Sequence, residues 1–146
     1  MRKNRDGSPT SRWWAEVEMQ VQFFDLDPMQ IVWHGHYMRY LEIARCVLFD
    51  QIGYNYDDMK QSGYAWPIID LQIRYAAPAT FNQRLTVSAD IVEWENRLKI
   101  NYVVKDATSG KRLTRASTTQ VAVDHASGKM CFVSPPILFE KLGVSL

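Results

Sequence analysis

FFDLDPMQIVWHGHY, residues 23–37, places two carboxylates, Asp25 and Asp27, just ahead of Pro28 and then brackets Gly35 between His34 and His36. Phe23, Phe24, Trp33 and Tyr37 surround these ionisable groups, although burying charge among apolar side chains is costly. The flanks give the stretch its context. Upstream, residues 15–24 alternate: Val17, Met19, Val21 and Phe23 point one way, and Glu16, Glu18, Gln20 and Gln22 the other, the pattern of a half-buried strand. Downstream, from His36 to Ile52, Tyr37, Tyr40, Leu41, Ala44, Val47, Leu48 and Ile52 recur at helical spacing. Glu42, Arg45 and Asp50 are among this helix's polar residues, and Gly53 is a natural stop. The quoted stretch is therefore the corner between a strand and a long helix.

Beyond the helix, NYDDMKQSG predicts a helical turn begun by Asp57 and Asp58, and the period then returns to two. Residues 69–75, 84–95, 97–106 and 113–124 read as strands, with a short one over 130–133 and a terminal helical turn in PPILFEKLG. Short loops between strands imply an antiparallel meander. The fold class is α+β, with one helix laid across a curved antiparallel sheet of about five strands. One sheet face is covered by the helix; the other face and the sheet edges remain to be partnered, which predicts an oligomer.

The 146 residues suit one domain, read as a tail over 1–14 and a single domain over 15–146. Residues 1–12 are charged and lack a following apolar stretch, so a loose tail is expected rather than a secretory signal. A net charge of +1, from 17 basic and 16 acidic residues, argues against nucleic acid as a main partner. No apolar run reaches membrane-spanning length. Cys46 and Cys131 fit no zinc or CxxC spacing and read as buried, reduced thiols of a cytoplasmic protein.

The run from Val21 to Arg45, followed by this strand order, resembles the hotdog-fold thioesterases, in the branch of the 4-hydroxybenzoyl-CoA and YbgC-type acyl-CoA thioesterases. Asp25, Asp27, Ile31, Val32, Trp33, His34 and Tyr37 fall on that family's pattern of D-x-D, a short spacer, I/V-V-W/Y-H-x-x-Y and the central helix. Two positions depart from it: Gln30 stands where glycine is usual, and His36 where Asn is frequent. Gln30 predicts a different turn or a side chain reaching into the pocket. The resemblance implies hydrolysis of acyl-CoA or acyl-carrier-protein thioesters, no metal or other cofactor, and homodimers that often pair into homotetramers, with each site built from both chains.

The residues supply a matching chemistry. A carboxylate serves as nucleophile or as general base, and both roles stay open for Asp27, which precedes the turn into the helix. A helix N-terminus offers free amides and a positive dipole end to a developing oxyanion. By resemblance, the amide at or near His34 takes that role. Asp25, Gln30, Ile31, Val32, Trp33, Gly35, His36 and Tyr37 complete the candidate substrate site. Phe24, Trp33 and Tyr37 are expected to wall an acyl slot. Asp25 has a second reading, a turn residue satisfying backbone amides, and His36 a second reading at the helix start. His34 and His36 lack a third ligand at metal-binding spacing. Arg74, Arg97, Lys99, Lys111 and Arg112 either meet the CoA phosphates or solvate a strand face. Two other functions compete with hydrolysis: an acyl-thioester-binding module, and a hydroxyacyl-thioester dehydratase, whose His-Phe-Pro-Gly pattern WHGHY does not match.

Overall fold

The computed structural model describes residues 13–145. Most of the expected tail, residues 1–12, lies outside the described residues. Trp13 and Trp14 belong to the domain: the Trp13 ring meets Trp94 edge-on at 4.8 Å and its indole nitrogen donates to the Leu142 carbonyl at 3.1 Å. Trp14 opens the first strand.

In chain order the elements are β1 (Trp14–Gln20), α1 (Tyr37–Ile52), α2 (Tyr56–Ser62), β2 (Tyr64–Ala65), β3 (Ile68–Tyr75), β4 (Arg84–Glu93), β5 (Leu98–Asp106), β6 (Arg112–Gln120), β7 (Val123–Asp124) and α3 (Pro136–Leu142). The main sheet is antiparallel with order β1-β4-β5-β6-β3. Only β4-β5-β6 is a meander. The chain leaves β1, runs through α1 and returns as β3 on the opposite edge, so the expected simple meander is corrected by a crossover. A second, two-stranded sheet pairs β2 with β7. α1 packs on one face of the main sheet, chiefly against β1 and β4, the arrangement expected of a hotdog fold.

The registers place Ala15, Val17 and Met19 beside Ala89, Val87 and Leu85, and next to Tyr102 and Val104, on the face that meets α1. The far face carries Glu16, Glu18, Thr86, Ser88, Asn101, Arg74 and Arg115, and Arg84 pairs with Glu18 there. That face is mainly polar, with Val103 buried between Ser88 and Arg115. The open surface is at the edges. β3 exposes Ile68, Ile69 and Tyr75 by 44–57%.

The buried stripe of α1 is Tyr37, Tyr40, Leu41, Ala44, Arg45, Leu48 and Phe49. Val47 and Ile52 are only half-buried, whereas Arg45 and Phe49 turn inward. The Arg45 guanidinium reaches the Tyr56 hydroxyl at 3.2 Å and that of Tyr102 at 3.4 Å, and these acceptors draw the charge into the core. Asn55 caps α2 by accepting from the Tyr56 amide, with Asp58 accepting from the Asn55 amide, so Asp57 and Asp58 lie in the helix's first turn, as expected. Residues 130–133 do not form the expected strand: Met130 makes a single bridge to Val123, and the Ser134 amide is bonded to the Glu95 carbonyl, leading the chain away into Pro135. Cys46 and Cys131 are free thiols, half-buried rather than buried. No helix among the described residues is long and apolar enough to cross a membrane.

Candidate active site

β1 ends at Gln20, and Phe23–Asp25 form a 3₁₀ turn. Phe23 and Phe24 therefore leave the strand alternation and are exposed by 77% and 68%. The turn directs Asp25 inward, to 1% exposure. Its carboxylate accepts from the Gln22 amide at 2.9 Å and from the Tyr40 hydroxyl at 2.8 Å, and forms an ion pair with Arg39. Burial opposes ionisation, but the Gln22 amide, the Tyr40 hydroxyl and the Arg39 guanidinium together hold this carboxyl below the usual carboxylate range. Tyr40, raised by burial and by the Asp25 hydrogen bond, stays a proton donor. Asp25 thus joins the turn to α1 and is not presented to a substrate.

The next residues form a tight hairpin. The Trp33 amide donates to the Asp25 carbonyl at 3.0 Å, and the Asp27 amide to the Ile31 carbonyl at 2.9 Å. Pro28 takes the second position of the turn, where its fixed φ is favoured. Asp27 begins the turn, its Oδ1 accepting from the Met29 amide at 2.8 Å. Its other carboxylate oxygen has no hydrogen-bond partner among the described residues. Gln30 has φ +64°, the left-handed region. Gln30 thus adopts a conformation that glycine takes more readily, and its side chain is not among those that line the cleft described below. Gln30→Gly is expected to raise stability by about 1 kcal/mol, read as a higher urea midpoint at unchanged slope. A lower midpoint would contradict this reading of the turn.

A 3₁₀ turn, His34–His36, leads directly into α1. The His36 amide donates to the Trp33 carbonyl at 2.9 Å. The amides of His34 and Gly35 meet no acceptor among the described residues. These are the unsatisfied donors expected at a helical N-terminus, carrying its partial positive charge.

Asp27, His34, Ile31, Val32 and Tyr37 line one open cleft of about 400 Å³. Met29 and the segment Tyr75–Pro78 complete its wall. That segment follows the edge strand β3 and is fixed opposite the hairpin, where the Val32 amide donates to the Ala79 carbonyl at 2.9 Å. The sequence reading missed this wall, which lies about fifty residues from Asp27; an alternating strand running into the small, turn-prone Ala76-Ala77-Pro78 was its only signal.

The other sequence-predicted residues take different places. Gln30, Trp33, Gly35, His36 and Asp25 do not line the cleft. The Trp33 ring covers Gly35 so closely that a Cβ there would fall 2.4 Å from it. The indole thus leaves no room for a side chain at Gly35. Phe24 stands outside under Arg39, 5.8 Å from the guanidinium, so of the three predicted slot aromatics only Tyr37 reaches the cleft. Arg97 is paired with Glu93 at 2.7 Å.

The model of the thioesterase-like superfamily matches residues 21–139. Among curated proteins, a candidate esterase of Synechocystis sp. is 29% identical over 136 residues, covering 88% of this chain and 78% of its own length. YneP of Bacillus subtilis, named as a candidate acyl-CoA thioesterase, is 27% identical over 128 residues, covering 87% and 88%. Among solved structures, a 1,4-dihydroxy-2-naphthoyl-CoA thioesterase from Synechocystis superposes with a TM-score of 0.78 at 22% identity, covering 88% of this chain and 96% of its own. That likeness speaks to the fold.

Proposed function

The chain belongs to the thioesterase-like superfamily and hydrolyses acyl thioesters, and from that premise we propose that Asp27 drives the reaction while the His34 and Gly35 amides bind the thioester oxygen. The observation that supports this reading is that Asp27, half-buried with a free oxygen, and His34 line one cleft; Gly35, outside the lining, shares a peptide unit with His34, and neither residue's amide meets an acceptor among the described residues. As a general base, Asp27 takes a proton from water while the water oxygen attacks the carbonyl carbon. As a nucleophile, its oxygen forms a mixed anhydride that water then opens. On either route negative charge gathers on the carbonyl oxygen, where preorganised amides at a helix N-terminus act most strongly. The C–S bond breaks as that charge returns to the carbonyl, which on the nucleophilic route is the step that forms the anhydride, and the leaving thiolate takes the proton held by Asp27 or one from water.

The proposed substrate is an acyl-CoA, with the acyl group seated against Ile31, Val32, Tyr37 and Pro78. The test is release of free thiol from a panel of short, long and aromatic acyl-CoA and acyl-carrier-protein thioesters, followed with a chromogenic aromatic disulfide. Turnover of at least one CoA thioester is expected. Hydration of an enoyl thioester without hydrolysis, or binding without turnover, would overturn the reading.

The eight-residue edge strand β3 exposes both apolar side chains and an unpaired ladder. We propose that it pairs with the same strand of a second copy in a homodimer, which brings the cleft wall at Tyr75–Pro78 to the interface. Sedimentation equilibrium is expected to show a dimer at micromolar concentration. A fully active monomer would contradict it.

A further inference from the structure

We propose that Tyr75 is a positioning residue for the substrate-binding amides: its hydroxyl donates to the His34 carbonyl at 2.8 Å and so fixes the peptide plane that presents the Gly35 N–H. The inference rests on the reading that those amides bind the thioester oxygen. The carbonyl of His34 and the amide of Gly35 belong to one planar unit, so holding the oxygen sets the direction of the N–H. Two donors reach that oxygen. The Tyr37 amide ties it to α1, and the Tyr75 hydroxyl ties it to the last residue of the edge strand β3. The neighbouring plane, which carries the His34 N–H, is held separately by the bond from the His36 amide to the Trp33 carbonyl. Each unsatisfied amide thus has its own restraint, and only that of Gly35 comes from a side chain.

The phenol ring is itself held, edge-on to Tyr37 at 5.2 Å and to His34 at 6.4 Å. Burial raises its pKa, so it remains a donor through neutral pH. A hydrogen bond accepted by a peptide carbonyl also polarises the N–H of the same peptide, making it the better donor. The Trp33 indole packs over Gly35 and against the His34 and His36 rings, and the Tyr75 hydroxyl adds to this packing a directed restraint on the His34 carbonyl.

Tyr75→Phe keeps both ring contacts and removes only the hydroxyl. Its kcat on the best acyl-CoA is expected to fall about five- to tenfold, the worth of one neutral hydrogen bond, with KM within about twofold. The second readout is the carbonyl stretch of an acyl-CoA bound to the Asp27→Asn enzyme, measured by infrared difference spectroscopy. Adding Tyr75→Phe is expected to move that stretch back toward its value in water. A hydroxyl with a merely structural role would lower Tm and leave kcat and the carbonyl frequency unchanged. That outcome, or a rate loss through KM alone, overturns the proposal. The assignment of Asp27 fails separately: an active Asp27→Asn enzyme would refute it while the Tyr75→Phe kcat remains readable.

Discussion

Asp25→Ala is expected to lower stability by about 2–3 kcal/mol, the range for a lost hydrogen bond to a charged group with a buried donor left unpaired. The carboxylate is 1% exposed and gathers the Gln22 amide, the Tyr40 hydroxyl and the Arg39 guanidinium. Removing it leaves the tyrosine hydroxyl without its acceptor in the core. Arg39 is half-exposed and recovers water, which keeps the loss below the larger penalty of stranding a buried ion. At this chain length the change corresponds to a fall in Tm on the order of 5–10 °C. The pH dependence follows from the lowered pKa in the folded state. Such a carboxylate contributes stability that is present above its unfolded pKa, about 3.9, and is lost as pH falls from there through the folded value. Asp106, held down to about 2 by the Gln83 side chain and the Ser109 and Thr108 amides, contributes to the same acid limb. The measurement is therefore the Tm difference between wild type and Asp25→Asn from pH 7 to pH 2. It should shrink below about pH 4. A constant difference would show that the Asp25 charge does not stabilise the fold.

The long helix was legible because its apolar residues repeat through sixteen positions and Gly53 stops it with a left-handed φ of +72°. The strands later found as β4 and β5 were legible because each alternates over nine or ten residues. Other features depend on partners distant in sequence. Arg45 reads as a solvent-facing charge until Tyr102, fifty-seven residues away, supplies an acceptor inside the core. The burial of Asp25 depends on Arg39 and Tyr40, fourteen and fifteen residues on. Phe23 extends the strand alternation in sequence, but the chain has already left the sheet. The hairpin around Asp27 has arms too short to show a period, although Asp-Pro followed by a left-handed residue is its turn signal. The place of β3 at the far edge, and with it the cleft wall at Tyr75, follows from pairing with β6. No local pattern encodes that pairing. The candidate site was thus legible as a segment, with Asp25 open to reading as a turn residue, while the partners that bury Asp25 and the cleft wall opposite Asp27 required the fold.

Asp27 is the centre of the proposed mechanism, and Asp27→Asn tests that role most directly. Asn matches the carboxylate in shape and can keep the Oδ1 bond from the Met29 amide, so the hairpin should survive. It is neither basic nor anionic, and so offers no proton acceptor and no oxygen nucleophile. The measurement is the saturated rate of free-thiol release from the best acyl-CoA, taken on folded wild-type, Asp27→Asn and Asp25→Asn enzymes. For Asp27→Asn, kcat should fall at least ~10²-fold, the lower end of what acid–base catalysis contributes, with KM and Tm nearly unchanged. Asp25→Asn should lose stability but keep most of its kcat. A folded Asp27→Asn enzyme that releases thiol at a near-wild-type rate, or an Asp25→Asn enzyme that is folded and inactive, would contradict the account.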